Sequence, residues 1–417
     1  MALHEIEEQA PERVLLVSVD TGEFDAAVSL EELAELTATA GAEVIDVATQ
    51  KKEAPDKATC LGSGRAEELA AVCAAQDIDL VIMDRELSPT QLRNLEEIFP
   101  CRVIDRTALI LDIFAGRARS AEGRLQVELA QLQYRLPRLA GQGTALSRLG
   151  GGIGTRGPGE TQLESDRRHI RRRIGAIREQ LAKVESQRKL RRDRRRKDGI
   201  PTVAIVGYTN AGKSTLLNHL TDAGVLAENK LFATLDPTAR GLRLPDGREI
   251  MLVDTVGFVR RLPHHLVQAF RSTLEEAVEA DVILNVCDAS SPHAAEHLQV
   301  TGDLLTELGC GDTPVLQVMN KCDLIPEIAG QGDRRCLYIS AATGAGIPEL
   351  LQAVAQALPP DRRKVKLLLP FSKGALAEQC RREGNVEHEE YVPEGLSMTV
   401  TLGARLLAET AEYVVEE

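Results

Sequence analysis

From Arg13 to Phe114 the chain alternates short apolar runs with amphipathic stretches. The runs Val14–Val19, Glu43–Val47, Leu80–Met83 and Arg102–Ile104 predict strands, and Leu30–Ala40, Ala66–Ala75, Pro89–Ile98 and Thr107–Phe114 carry helical spacing. Such alternation predicts a small α/β domain with a mostly parallel sheet, because each parallel crossover needs a helix to return the chain. Residues 121–139 read as a helix ending at Pro137. Then comes Gly150-Gly-Gly-Ile-Gly-Thr-Arg-Gly-Pro-Gly-Glu160, whose six glycines predict a specially shaped loop rather than a regular element. Residues 161–197 resume as a long polar helix, with Ile170, Ile174, Ile177, Leu181 and Val184 at helical spacing, stopped by Asp198-Gly199-Ile200-Pro201. An antiparallel helix pair joined by the glycine loop is the simplest arrangement. Residues 202–358 alternate strand and helix again. After Pro359-Pro360, Val365–Pro370 (strand), Ala375–Arg382 (helix) and Ser397–Leu402 (strand) predict a small α+β module. The predicted parts are 1–120, 121–198, 199–360 and 361–417, and no internal repeat is visible.

Composition changes this picture in one place. Hydrophobic residues make up 43% of 417, ordinary for a soluble globular chain. There is no apolar run of about 18 residues, so no membrane-spanning helix is expected. Met1 to Pro11 is acidic and has no basic-then-apolar leader, so no secretory signal is expected. The eight cysteines form no CxxC pair, which predicts buried free thiols in a reducing cytosol. The net charge of −13 argues against nucleic acid as a partner, but it is an average. Arg167 to Lys197 holds 15 basic residues against 3 acidic ones, a local +12, so the rest carries about −25. That excess predicts an RNA-backbone partner, with Arg167, Arg168, Arg171, Arg172, Arg173 and Arg178, and Arg156 in the glycine loop, as candidate contacts. The helix has no aromatic residue, so phosphate contact rather than base stacking is expected.

The chemistry lies in 202–358. The strand Val203–Val206 runs into Gly207-Tyr208-Thr209-Asn210-Ala211-Gly212-Lys213-Ser214, followed by a helix over Thr215–Leu220. This is a G-x-x-x-x-G-K-S phosphate loop in its required strand–loop–helix setting. Its backbone N–H groups and the helix N-terminus suit phosphates, Lys213 should reach the β- and γ-phosphates, and Ser214 should ligate Mg²⁺. The strand ending at Asp254-Thr255-Val256-Gly257 supplies D-x-x-G: Asp254 should hold Mg²⁺ through water, and the Gly257 N–H should sense the γ-phosphate. Asn320-Lys321-Cys322-Asp323 follows a strand over Pro314–Met319. The Asp323 carboxylate can accept from N1–H and N2–H₂ of guanine, donors that adenine lacks, which makes the set specific for GTP and GDP. Ser340-Ala341-Ala342 should close over the base, and Phe232-Ala233-Thr234-Leu235-Asp236 should carry a switch threonine. Thr234 is the candidate to complete the Mg²⁺ shell, with Thr238 its only rival. Lys213, Thr234 and Gly257 are the catalytic candidates. The expected architecture is α/β throughout: a small α/β domain with a basic helical hairpin, a Ras-like P-loop GTPase domain and a small α+β module.

The segment Leu231–Arg240 (LFATLDPTAR), the loop GGIGTRGPGE and the basic helix after it resemble the HflX family of translation GTPases, over residues from about 13 to 358. The resemblance implies a cytoplasmic GTPase that binds the large ribosomal subunit and its RNA and helps to split or rescue stalled ribosomes under stress. It also implies that the N-terminal domain and hairpin reach ribosomal RNA. A monomer is expected, and partial membrane association is left open. The rival reading is a signalling or membrane-associated switch acting on a protein partner. Phe258 stands where many small GTPases carry the glutamine that orients water, so intrinsic hydrolysis should be slow. Asn210 resembles the asparagine of potassium-stimulated GTPases, which makes K⁺ a second candidate cation beside a purely loop-shaping role. Gly152–Gly157 fits G-x-G-x-x-G but follows no strand and is rejected as a dinucleotide site. Leu61–Arg65 is a glycine turn before a helix, more often structural than phosphate-binding, and His264-His265 reads as surface imidazoles rather than a metal site.

Overall fold

The computed structural model describes residues 10–139, 158–197, 199–221, 231, 232, 235, 238–261, 263, 266, 276–325, 336–359 and 362–416. The chain divides into two compact units, each described by itself. The first comprises Met1–Ala182 with Glu228–Asp236 and Phe258–Arg271, and the second Lys183–Ala227, Pro237–Gly257 and Ser272–Glu417.

The first unit is built on four parallel strands, β1 (Arg13–Asp20), β2 (Glu43–Lys51), β3 (Leu80–Met83) and β4 (Arg102–Asp105), in the order β2-β1-β3-β4. Helices α1 (Ala26–Thr39), α2 (Ser63–Ala75), α3 (Pro89–Ile98) and α4 (Arg106–Arg117) connect or follow them. Leu15, Val17 and Val19 of β1 share a core with Leu69 of α2 and Leu95 of α3, while Val14 and Leu16 are as deeply buried. Burial on both sides explains why this strand reads as an unbroken apolar run rather than an alternating one. Ser88 and Gln91 form a capping box at the start of α3, with Pro89 in its first turn.

Helix α5 (Ala121–Arg138) does not stop at Pro137 as expected. Its last turn is held from outside: Arg138 donates to Leu87 O (2.7 Å) and Asp105 Oδ2 (3.1 Å) and lies over the Tyr134 ring. One missing backbone donor near a helix end is thus outweighed by side-chain anchoring. Helix α6 (Pro158–Lys197) is 40 residues long and begins earlier than read, so Pro158, Gly159 and Glu160 are helical and only the rest of the glycine stretch falls outside the described residues. Ile174 and Ile177 of α6 pack with Leu129 of α5, joined by Leu125, Leu132, Leu136, Ile170 and Leu181, so the two helices share one apolar seam.

The second unit contains a six-stranded sheet ordered β10-β9-β8-β5-β7-β6, from β5 (Thr202–Gly207), β6 (Thr238–Arg243), β7 (Glu249–Asp254), β8 (Val282–Asp288), β9 (Val315–Asn320) and β10 (Cys336–Tyr338). Only β6 runs antiparallel. Helices α7 (Lys213–Thr221), α8 (Ala294–Glu307) and α9 (Ile347–Ala357) accompany it. The tail forms β11 (Arg362–Leu369), α10 (Gly374–Glu383), β12 (Asn385–Val392), β13 (Gly395–Gly403), α11 (Ala404–Thr410) and β14 (Val414–Glu416), an antiparallel sheet ordered β12-β13-β11-β14. This is the split β-α-β-β-α-β arrangement. No helix among the described residues is long and apolar enough to cross a membrane.

Candidate active site

In the second unit the motif residues converge on the carboxyl edge of the parallel strands, where open α/β sheets place their ligands. β5 ends at Gly207, the loop Tyr208–Gly212 follows, and α7 starts at Lys213. Gly212 has φ +88°, and a Cβ there would lie 2.3 Å from Asn320 Nδ2, so glycine is required on two counts. The buried Lys213 ammonium donates to Gly207 O (3.0 Å) and Tyr208 O (2.8 Å), folding back over its own loop. Burial pushes its pKa down to about 8, and Asp254 opposes the shift. Ser214 Oγ donates to Asp254 Oδ2 at 2.7 Å, so the two proposed Mg²⁺-side residues from α7 and β7 meet. Two hard oxygen donors, one anionic, suit Mg²⁺.

Gly257 approaches the phosphate loop so closely that a Cβ would stand 2.7 Å from Thr209 Cγ2 and 3.0 Å from Lys213 Nζ. Thr209 Oγ1 is buried with no hydrogen-bond partner among the described residues. Asn210 has φ +61°, a conformation asparagine tolerates better than most residues, which by itself accounts for Asn at this place. The ring of Tyr208 stacks on His297 of α8 at 3.8 Å, steadying the loop from the side. Thr255 is structural: its Oγ1 donates to Ile205 O at 2.8 Å. Val256 is buried, and Thr215 is half-buried on α7.

At the base end, Asn320 is a tether. Its Nδ2 donates to Ala211 O (2.8 Å) and its Oδ1 accepts from Ala341 N (2.9 Å), so one buried amide joins the phosphate loop to the Ser340–Ala342 loop. Lys321 adopts φ +64° and its ammonium pairs with Asp288 Oδ2 at 2.7 Å. Hydrogen bonds from Lys321 and Ser290, against the opposing effect of burial, hold the Asp288 carboxyl below its ordinary value. Cys322 is buried with its thiol directed at Met319 O (3.1 Å), a packing role. Asp323 stays exposed, one oxygen accepting from Ser340 Oγ (2.6 Å). Ala342 is exposed beside it. Sequence reading missed Asp288 and His297. Asp288, at the end of β8 and level with Asn320, was the more discoverable of the two.

Phe232, Leu235 and Phe258 belong to the first unit. The Phe232 ring is buried edge-on against Phe114 (4.6 Å, 71°), and Leu235 is also buried, so both side chains pack in a core there and leave only their backbone for the expected nucleotide contact. Ala233, Thr234 and Asp236 lie outside the described residues. The rival Thr238 sits in β6 opposite Asp254, committed to the sheet. Beyond D-x-x-G, Phe258 is buried. Arg261 Nη1 donates to Ser29 Oγ (2.9 Å) and Asp84 Oδ2 (3.0 Å), its Nη2 to Asp84 O (2.7 Å), and its guanidinium lies over the Phe24 ring. Buried Arg106 bridges Asp84 (3.0 Å), Glu32 and the carbonyl of Arg260 (3.3 Å). No sequence motif marked this cluster.

Of the basic candidates, Arg168, Arg171, Arg172 and Arg178 are exposed on α6 and Arg167 is half-buried. Arg173 differs: it makes a bidentate pair with Glu128 of α5 (2.6 and 2.7 Å), so its charge is already answered. Arg156 and His264-His265 lie outside the described residues. In the Leu61–Arg65 turn the Gly62 N–H is taken by Gln50 Oε1 at 2.8 Å. Six of the eight cysteines are buried, and all eight are free thiols.

Three family models match in order: "GTP-binding GTPase N-terminal" over 27–115, "GTP-binding GTPase Middle Region" over 117–195 and "50S ribosome-binding GTPase" over 202–321. The chain is 52% identical to a protein named GTPase HflX from Caldanaerobacter subterraneus subsp. tengcongensis, over 97% of this chain and 94% of that one. It is 44% identical to GTPase HflX of Escherichia coli K12, over 95% and 94% respectively. Among solved structures, a GTP-binding protein from Sulfolobus solfataricus in complex with GDP aligns over 83% of this chain and 98% of its own, at 26% identity and a TM-score of 0.43.

Proposed function

Since the chain belongs to the HflX family of GTPases, we propose that it hydrolyses GTP as a factor of the large ribosomal subunit, its nucleotide state governing ribosome splitting or rescue under stress. The observation that carries this reading is the joining of a guanine-type site to a 40-residue helix whose exposed arginines have no acidic excess around them. Lys213 and the phosphate-loop N–H groups hold the phosphates, and Asp323 with the Ser340–Ala342 loop holds guanine. Ser214 and Asp254 would hold Mg²⁺, with Thr234 completing its shell; the ion would neutralise charge on the β- and γ-oxygens. Thr234 and Gly257 read the γ-phosphate, and loss of that group releases the segments that carry them. Exposed arginines of α6 hold RNA phosphates. Phe258 cannot orient a water and is buried, so the chain's own rate is slow and the ribosome supplies what is missing.

Co-sedimentation with purified 50S subunits in GTP, a non-hydrolysable analogue and GDP tests the reading. Binding with the triphosphates that falls at least several-fold in GDP is expected. Equal binding in all three states, or none, would leave a switch acting on a protein partner as the better account. The K⁺ role is separable, because Asn210→Gly keeps access to the left-handed backbone but removes the amide oxygen. Faster hydrolysis in K⁺ than in Na⁺, abolished in that variant, would assign the cation. Equal rates in both salts would leave Asn210 as a loop former.

A further inference from the structure

The chain has only seven Phe, five Tyr and no Trp, yet two of these aromatics stand in the open at one place on the C-terminal module. Phe371 is 63% exposed and Tyr391 69% exposed, and their rings lie nearly parallel (9°) with centroids 6.5 Å apart. Tyr391 lies opposite Leu396 in the β12–β13 ladder, so it points to the side of the sheet that carries the helices. It stands on β12, an outer strand of its sheet with no neighbour beyond it among the described residues. The edge therefore offers unpaired backbone groups beside an aromatic anchor, the combination used when an extended segment adds to a sheet.

The charge around the pair decides what kind of segment fits. Between Phe371 and Glu394 there are six glutamates against three basic residues. Arg381 is held by Glu378 (2.9 Å) and Glu389 and also meets the Tyr391 hydroxyl, and Arg382 pairs with Glu383 (2.7 Å). Glu390 and Glu394 are exposed and make no ion pair among the described residues. The open sheet face, with Lys364, Lys366, Ser397, Thr399 and Thr401, carries no Phe, Tyr or Trp among the described residues, and Lys364 is paired with Glu387. An RNA backbone would meet repulsion along this edge and no stacking on this face.

We propose that the β12 edge, with Phe371 and Tyr391 as anchors, is a docking surface for an extended, lysine- and arginine-rich protein segment on the large ribosomal subunit. The proposal rests on the 50S reading above. It divides the molecule's contacts by chemistry: the basic helix takes RNA and the acidic aromatic edge takes protein.

The test places the photo-crosslinking residue p-benzoylphenylalanine at position 391 of the full chain, bound to purified 50S subunits with a non-hydrolysable GTP analogue. A crosslink from position 391 to a ribosomal protein, mapped to a basic segment, is the expected result. A crosslink to ribosomal RNA, or none while the same group at position 171 crosslinks, would overturn the proposal and leave the 50S reading standing. Failure of the wild-type chain to bind 50S would sink both. In parallel, Phe371→Ser with Tyr391→Ser should weaken 50S binding by about tenfold, as loss of paired anchors does, and Glu390→Lys with Glu394→Lys should weaken it too. Neither variant should alter basal GTP hydrolysis, and the melting temperature should change little, since all four side chains are exposed. Unchanged 50S affinity in both variants would refute the proposal.

Discussion

Burial makes Lys213 easier to deprotonate than a free lysine. Its folded pKa of about 8 lies below the roughly 10.4 of an unfolded lysine. Between those values the unfolded chain binds more protons, so stability of the nucleotide-free protein should rise with pH from about 8 to 10. Phosphates would restore the charged form, so GTP binding should take up protons at about pH 8.5. Titration calorimetry in two buffers of different ionisation enthalpy should show that uptake, and Lys213→Met should remove it together with most of the affinity. A buffer-independent heat in the wild type would mean that Lys213 does not meet phosphate. At the other end of the pocket, Asp323→Asn should weaken GTP by about a hundredfold or more and improve xanthosine triphosphate, because the amide can donate to the carbonyl at C2 of xanthine. Competition binding of the two nucleotides decides it, and unchanged GTP affinity would remove Asp323 from the pocket. Gly257→Ala would drive a methyl into Thr209 and Lys213. Hydrolysis should fall sharply with little change in melting temperature, and a wild-type rate would show that the D-x-x-G segment need not approach the phosphate loop.

At the scale of elements, α6 carries two kinds of arginine, and mutation should separate them. Arg171→Glu with Arg172→Glu should reduce 50S binding and leave the fold alone, since both are exposed. Arg173→Ala should instead loosen the α5–α6 pair slightly, as loss of an exposed ion pair does, visible as a small drop in melting temperature. The two effects exchanged would reverse the assignment. The segment after D-x-x-G makes a second case. Arg261→Ala strips Asp84, a fully buried carboxylate, of one of its guanidinium partners. A loss of about 1–3 kcal/mol is expected, with faster amide exchange across Phe258–Arg261; unaltered exchange would show that the arginine does not hold this segment. These particulars also show what was legible in advance. Strands buried on both sides, such as β1, and motif loops with fixed glycine and lysine positions could be read directly, because one local rule decides them. Strand β12 (NVEHEEYV) was not seen, since an edge strand need not carry an apolar face. Pro137 inside α5, Phe232 in a core and Arg173 in a pair all depend on partners distant in sequence, as does the Asp84–Arg106–Arg261 cluster. Nothing local distinguishes a guanidinium bound for RNA from one bound for Glu128.

For the whole molecule the decisive quantity is the distribution of charge. A chain of net −13 holds one segment, Arg167–Lys197 of α6, with a net of +12, so that segment attracts phosphate while the rest of the chain carries the opposite charge, a field expected to orient the approach to an RNA-rich particle. The site on the second unit has a buried lysine and a Ser214–Asp254 pair but, with Phe258 buried, no water-orienting glutamine. From these two facts, slow basal turnover and acceleration by 50S subunits are expected. The acceleration should depend on salt through the tether alone. Each RNA phosphate contact made by α6 adds roughly 0.7–0.9 to the slope of log affinity against log salt. Removing two contacts, with Arg171→Glu and Arg172→Glu, should therefore flatten that slope by about 1.4–1.8 and raise the 50S concentration needed for half-maximal stimulation. The maximal rate at saturating 50S should stay the same, because neither arginine belongs to the nucleotide site, and the basal rate should stay the same for the same reason. A GTPase titration with 50S subunits at several salt concentrations measures all three quantities at once. If the maximal rate falls while the slope is unchanged, α6 acts on the chemistry and not as an electrostatic tether. If 50S subunits never raise the wild-type rate, the activator lies elsewhere and a switch acting on a protein partner becomes the better account.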